Sequence, residues 1–180
     1  MSLSRRVIIL VVVIAAIVVV KFAPQNAPRG IVLPKTNVAG VTTLAVQKGG
    51  ELVTVRFAPS VDPLLALNEL ASEQKWDAAA VVSSVGSLTR ASIRCANQES
   101  ATKLSGHFEI IAMTGTVSRL GSHLHISIAD SLGEMTGGHL MEGSSVYTTL
   151  ELMLAVLPDS RYTREFDEAS GYHELTVRPK

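Results

Sequence analysis

A glycine-ended loop between two β-type runs constrains the fold of this chain more than any other feature. Ser131, Leu132 and Gly133 lie between Asp130 and Glu134. This arrangement fits a three-residue hairpin loop, in which the last position is left-handed and usually glycine. Pairing Asp130 with Glu134 fixes the register of both strands, and the register decides which side chains share a face.

Three of the five histidines lie in this predicted hairpin. His123 and His125 are two residues apart in a strand, so they share a face, with Cβ atoms about 7 Å apart. The register puts His139 directly opposite His125, at a Cβ distance of about 5 Å. On the other face Leu124 meets Leu140, as expected for a core face. Three imidazoles beside an open position are what a catalytic zinc site needs.

Three interpretations of this cluster stay open. The histidines bind a metal ion, they are hydrogen-bonded groups of a core or subunit interface, or they perform acid and base chemistry without a metal. A bulge at Gly137 and Gly138 would shift the register by one residue and turn His139 to the wrong face. His107 and His173 are interpreted as ordinary surface or partly buried histidines outside the cluster. No catalytic residue is selected by the spacing.

The rest of the chain after Gly50 combines one helix with many strands. Asp62 is a suitable N-cap and Pro63 a suitable first helical residue, so a helix is predicted over residues 63–75. The segment 147–156 fits either a helix or a strand. We predict an α+β (α/β) single domain with a central, mainly antiparallel sheet and one main helix. The predicted strands are 51–57, 78–85, 88–95, 108–117, 123–129, 135–141 and 173–177, with a tight connection at Val85-Gly86-Ser87-Leu88.

An apolar run precedes this domain. Residues 7–20 are all apolar and follow Arg5 and Arg6. Lys21 can extend toward lipid headgroups, so residues 7–23 reach roughly 17 residues, the lower limit for a spanning helix. We predict an uncleaved, single-pass N-terminal transmembrane helix.

The alternative for this segment is a cleaved signal peptide and a secreted domain. Ala23 and Ala27 are each followed by proline, which disfavours cleavage there. Residues 24–50 are rich in proline and glycine and are predicted to be a linker, with a short strand near Val41 to Val46. The predicted organisation is therefore a membrane anchor or signal segment (1–23), a linker (24–50) and a domain (51–178).

The charge balance argues against nucleic acid as the main partner. The chain has 16 basic and 16 acidic residues, and its pI is near 7.0. A protein that binds nucleic acid through phosphates usually has a basic excess. Its single cysteine, Cys95, excludes an intramolecular disulfide, so packing must stabilise the fold.

Several stretches resemble the plant- and prokaryote-conserved (PPC) domain family over about residues 50–178. They are residues 79–88, 108–110 and 114–116, and above all HLHISIAD at 123–130 followed by GGHL at 137–140. The resemblance implies an α/β fold with a central sheet and a homotrimer. It also implies that His123, His125 and His139 occupy the positions associated with metal in the prokaryote-type branch.

The resemblance leaves more than one function open. We expect a membrane-anchored homotrimer that binds a divalent metal, zinc, through the three histidines, with an undefined activity and no identified small-molecule ligand. The first alternative is a non-enzymatic oligomerisation or interaction module. The second is a DNA-binding module like the plant members, but those carry an AT-hook with an Arg-Gly-Arg-Pro core, and Pro-Arg-Gly-Ile at 28–31 does not match it.

Overall fold

The computed structural model describes residues 31–32, 36–47 and 52–180. The described chain forms one eight-stranded sheet, one helix and a separate two-stranded sheet. The helix α1 is Pro63–Glu73. The strands are β1 Ile31–Val32, β2 Val41–Gln47, β3 Leu52–Phe57, β4 Ala79–Arg94, β5 Thr102–Ser118, β6 Gly121–Ala129, β7 Met135–Leu140, β8 Ser145–Val156, β9 Ser160–Asp167 and β10 Tyr172–Pro179.

The large sheet has the order β1-β2-β3-β8-β4-β5-β6-β7. Neighbouring strands from β2 to β7 in this order are antiparallel. One further pairing bends it: the end of β4 also pairs with β7, Ile93 with Leu140 and Arg94 with His139. Strands β4, β5, β6 and β7 therefore form a closed ring. This confirms the prediction of a single, mainly antiparallel domain with one helix.

The helix begins where the sequence predicted. The Asp62 carboxylate accepts hydrogen bonds from the backbone N–H groups of Leu64 at 3.0 Å and Leu65 at 3.2 Å. The helix ends two residues early, at Glu73, with Gln74 as its C-cap. Its buried side chains pack against β5, β6 and β8 and form the core with the inner face of the sheet.

The prediction of a tight turn between two strands at Val85 to Leu88 is wrong. Residues 79–94 form one continuous strand, and Gly86 pairs with Ile110 on one side and Leu150 on the other. A Cβ atom at Gly86 would lie 2.3 Å from the Thr149 carbonyl oxygen. The glycine therefore allows close approach of a neighbouring strand and does not reverse the chain.

The C-terminal third contains one segment that the sequence left open between helix and strand, and one strand that was not predicted. The open segment lies in a strand, residues 145–156. Its side chains Leu150, Leu152 and Leu154 are buried at every second position, which is the period of a sheet. Strand β9 was not predicted. Its sequence SRYTREFD is polar, and none of its residues is buried, so it lacks the buried face that identifies a strand in a sequence.

The predicted membrane segment, residues 7–23, lies outside the described residues. Among the described residues, no helix has the length and apolar character needed to cross a membrane.

Candidate metal centre

The hairpin β6–β7 has the register that its loop predicts. His125 pairs with His139, Ser127 with Gly137 and Ala129 with Met135. Gly133 takes the left-handed conformation at φ 81°, and its N–H donates to the Asp130 carbonyl oxygen at 3.0 Å. Gly137 and Gly138 form no bulge in this pairing, so His139 stays on the histidine face.

The three imidazoles lie together on the outer face of this hairpin. One nitrogen atom from each of His123, His125 and His139 lies within 4.8 Å of the other two. The ring centroids are 4.4 Å apart for His125 and His139, 4.9 Å for His123 and His139, and 5.2 Å for His123 and His125. Leu124 and Ile126, which alternate with His123 and His125 along β6, are buried in the core. The histidines of β6 therefore point outward.

This donor set can hold a metal ion. Two nitrogens bound to one tetrahedral zinc at 2.0–2.1 Å lie about 3.3 Å apart. His123 Nε2 and His139 Nδ1 are already 2.9 Å apart, at hydrogen-bonding distance. A hydrogen bond between two ring nitrogens requires an unprotonated acceptor, which is also the form that binds a metal. A nitrogen of the third ring, His125, lies within 4.8 Å of both other rings' ligand nitrogens.

The surroundings favour neutral imidazoles. Partial burial lowers the pKa of His123 below its usual value, and the positive charge of Arg164 lowers it further. Burial also lowers the pKa of His139, followed by the effect of Arg94. Protons compete with a metal for the same nitrogens, so both shifts favour metal binding near neutral pH.

Neighbouring strands add polar side chains around the rings. Thr116 on β5 is the cross-strand partner of His123, and Thr114 is the partner of His125. Arg94, at the end of β4, is the partner of His139. Cross-strand partners share a face of the sheet, so the histidine face has threonines on one side and an arginine on the other.

The hairpin β9–β10 lies beside the histidines. Arg164 on β9 donates a hydrogen bond from Nη2 to Thr116 Oγ1 at 3.3 Å. A cleft of about 930 Å³ separates this hairpin from the histidine face, and its lining includes His123, His139, Arg94, Arg164 and Glu174. The centre therefore opens into a space large enough for a small ligand.

The two remaining histidines have different positions. His107 lies on β5 with its ring centroid 4.3 Å from that of Tyr147, away from the cluster. His173, on β10, contacts Phe166 and lines the cleft. The sequence placed His173 outside the site, because the polar hairpin that carries it next to the histidines gave no signal of its position.

The sequence pattern also did not identify Arg94 and Arg164 as residues of the site. Arg94 reaches the site through the pairing of β4 with β7, which joins distant parts of the chain. Arg164 reaches it through the unpredicted β9. The only local indication was the number of charged residues among 161–168, and such a run is usually a solvated strand or loop.

The comparison with protein families gives a match that covers most of the domain. Residues 44–158 match the model of the Plants and Prokaryotes Conserved (PCC) domain, the family abbreviated PPC above. The chain belongs to the PPC domain family. The match includes α1 and β3 to β8, and it ends before β9.

Among curated proteins, the chain is similar to the bifunctional protein GlmU of Synechococcus sp. strain JA-2-3B'a(2-13). The two are 40% identical over 129 residues, which cover 72% of this chain and 20% of that GlmU. The chain thus spans about a fifth of the length of the curated relatives it matches. The similarity concerns a PPC-sized segment of those proteins.

Two solved structures have a similar fold. A hypothetical protein from Salmonella enterica is 36% identical, with a TM-score of 0.70, covering 72% of this chain and 94% of that one. A metal-containing protein from Archaeoglobus fulgidus is 26% identical, with a TM-score of 0.60, covering 71% of this chain and 94% of that one. Solved structures similar to this chain thus include one that is described as containing a metal.

Proposed function

We propose that this chain is a membrane-anchored, homotrimeric PPC protein that binds a zinc ion through His123, His125 and His139. The observation that carries the proposal is the convergence of three imidazole nitrogens within 4.8 Å on one hairpin. Imidazole suits zinc and several other transition metals, and three histidines with an open fourth position form a zinc site of the catalytic kind. The metal-containing Archaeoglobus protein adds support.

Metal content of the purified full chain tests this proposal. We expect about one zinc per chain in the wild type and a loss of most of it in His125→Ala. His107→Ala is the matched control, because it removes an imidazole from the same sheet outside the cluster and should leave the content unchanged. Equal zinc in the wild type and in His125→Ala would remove the histidine site.

Homotrimeric assembly is supported by apolar side chains on the adjoining strands β8, β4 and β5. Five are exposed there: Val82, Val85, Ile111, Tyr147 and Met153. Clustered exposed apolar groups are typical of protein interfaces. Val85→Asp should dissociate the trimer in sedimentation, whereas Leu132→Asp, in the exposed hairpin loop, should not. A wild-type monomer would exclude the trimer.

The same apolar surface favours the second candidate, a non-enzymatic assembly module. In that case the histidines serve packing or association that depends on pH. The oligomeric state with and without a chelator, at neutral and mildly acidic pH, separates the two functions. A trimer that stays intact in the presence of the chelator but dissociates in acid would favour the assembly module.

The membrane anchor is supported by the sequence alone, in which residues 7–20 are all apolar and residues 7–23 contain one charge, Lys21. A central charge in a spanning helix costs about 2.5–3.5 kcal/mol, so Ile14→Arg should shift the full chain from the membrane to the soluble fraction. The intact mass of the mature protein separates the anchor from a signal peptide, since cleavage would remove the N-terminal segment.

A further inference from the structure

We propose that the cleft between the three histidines and the β9–β10 hairpin binds an oxyanion, the carboxylate or phosphate group of a small ligand, between Arg94 and Arg164. This inference rests on the proposed metal site, because the oxyanion would share the cleft with the ion. The three histidines alone do not indicate this class of ligand.

Arg94 is held beside the metal centre by the strand pairing. It is the cross-strand partner of His139, so its side chain leaves the sheet on the histidine face. Among the described residues, its side chain makes one hydrogen bond, from Nη1 to the Gln98 carbonyl oxygen, and at 3.4 Å it is long. Most donors of its guanidinium therefore stay available to a ligand.

Arg164 reaches the same centre from the hairpin. Its Nη2 contacts Thr116 Oγ1, and Thr116 is the cross-strand partner of His123. The adjacent Glu165 is engaged by Arg178 within the hairpin, at 2.8 Å. The two arginines thus flank the histidines, one next to His139 and the other next to His123.

Neither arginine is neutralised within the described part of the chain. The ion pairs found there join Arg119 and Lys180 to Asp77, and Arg178 to Glu165. A guanidinium offers a planar set of donors that matches carboxylate and phosphate oxygens. Two such groups facing one cleft form a site for an anion.

Two acidic residues, Glu99 and Glu174, also line the cleft. Neither forms an ion pair with Arg94 or Arg164 in the described part of the chain. A divalent ion bound to the histidines would add positive charge beside the two guanidinium groups.

The cleft has the dimensions and the walls of a ligand site. Its volume of about 930 Å³ lies near the upper end of the usual range for small-molecule sites, roughly 300–1,000 Å³. Leu64 and Tyr172 add apolar and aromatic surface. Arg164 and Tyr172 lie beyond residue 158, where the family match ends, so one wall comes from residues that the family match does not cover.

Binding of inorganic phosphate and of acetate to the zinc-loaded full chain tests the inference by calorimetry. Loss of one charge-assisted contact weakens binding about tenfold or more. We expect this loss in Arg94→Gln and in Arg164→Gln. Arg161→Gln is the matched control: Arg161 lies three residues away on β9, on the opposite face, and does not line the cleft. It should bind phosphate within about twofold of the wild type.

The two proposals fail in different ways. Phosphate and acetate affinities that are the same in wild type, Arg94→Gln and Arg164→Gln, or no binding to wild type at millimolar concentration, would overturn the oxyanion site whatever the zinc content. Zinc missing from the wild type would overturn the metal site. The oxyanion site would then still be decided by whether phosphate and acetate bind more weakly to Arg94→Gln and Arg164→Gln than to the wild type. Tighter binding of phosphate or of acetate supports the site and identifies which oxyanion it prefers. Arg164→Gln should retain the wild-type unfolding temperature, since Arg164 is exposed.

Discussion

His125 and His139 lie directly opposite each other on β6 and β7, with ring centroids 4.4 Å apart. Two glycines without side chains permit this pairing. A Cβ atom at Gly137 would lie 2.5 Å from the Ile126 carbonyl oxygen, and one at Gly138 would lie 2.6 Å from the Arg94 carbonyl oxygen. Strand β7 therefore fits closely between β6 and the end of β4, which fixes the position of His139.

Gly138→Ala should disturb this fit. The added Cβ would press on backbone, which cannot yield as a flexible side chain does, and overpacking of this kind costs roughly 1–3 kcal/mol. We expect lower stability in urea unfolding and weaker zinc binding, because β7 must move away from β4 and take His139 with it.

Gly133→Ala is the control for that variant. Its Cβ would meet nothing within 4 Å, although the residue has a left-handed φ of 81°. It should lose stability through loop strain while zinc affinity stays near the wild-type value. Equal zinc affinity in Gly138→Ala and the wild type would show that the close fit of β7 does not position His139.

The metal-free protein should lose stability as the pH falls below about 6.5, the ordinary pKa of histidine. Burial lowers the pKa of His123 and of His139 in the folded state. The unfolded chain therefore takes up protons first as the pH drops, and this stabilises the unfolded state until the folded-state pKa values are passed. Urea unfolding of chelator-treated protein between pH 7.5 and 5.5 measures the effect.

The double variant His123→Gln, His139→Gln should flatten this dependence. The carboxylates titrate at lower pH, so they contribute little in that interval. An equal loss of stability in the double variant and the wild type would assign the pH dependence to other groups.

The histidine hairpin was predictable because local chemistry determines it. A loop ending in Gly133 sets the pairing of its flanking strands, and the alternation of apolar Leu124 and Ile126 with histidine sets the faces. The N-cap Asp62 and Pro63 likewise identified the helix start from adjacent residues alone. The nearby positions of the three imidazoles follow from these local rules.

The rest of the site depends on contacts between distant residues. Arg94 lies next to His139 only because the sheet curls until β4 meets β7, and the turn wrongly predicted at Gly86 concealed the length of β4. Strand β9 buries no residue, so no apolar pattern distinguished it from a polar loop. Its Arg164 therefore had no predictable neighbour.

Asp62 should stabilise two parts of the fold. One carboxylate oxygen caps α1, and the other accepts a hydrogen bond from the Gly143 N–H at 2.7 Å. Asp62→Ala should cost about 1–2 kcal/mol in urea unfolding. Asp62→Asn keeps a capping oxygen but loses the second acceptor, so it should be intermediate. Wild-type stability in Asp62→Ala would contradict both roles.

Asp77 should anchor the β9–β10 hairpin to the domain. Its buried carboxylate pairs with Lys180 at 2.8 Å and with Arg119 at 2.5 Å. The Lys180 hydrogen bond is the largest cause that holds the pKa of Asp77 below its usual value, ahead of Arg119. Asp77→Ala should speed hydrogen exchange of the β10 amides by roughly tenfold, as expected for one lost charge-assisted contact.

Glu165→Gln is the matched control for the hairpin, because it removes an exposed carboxylate paired with Arg178. Exposed pairs contribute little, so exchange in the part of β10 distant from Arg178 should change little. Similar exchange rates in Asp77→Ala and the wild type would show that other contacts hold the hairpin in place.

X-ray absorption at the zinc edge of the loaded full chain tests the three-histidine centre most directly. We expect imidazole scattering from three nitrogen ligands at 2.0–2.1 Å, reduced to two imidazoles in His125→Ala. A zinc shell of oxygen ligands without imidazole scattering, or a shell that is the same in His125→Ala and the wild type, would contradict the three-histidine centre.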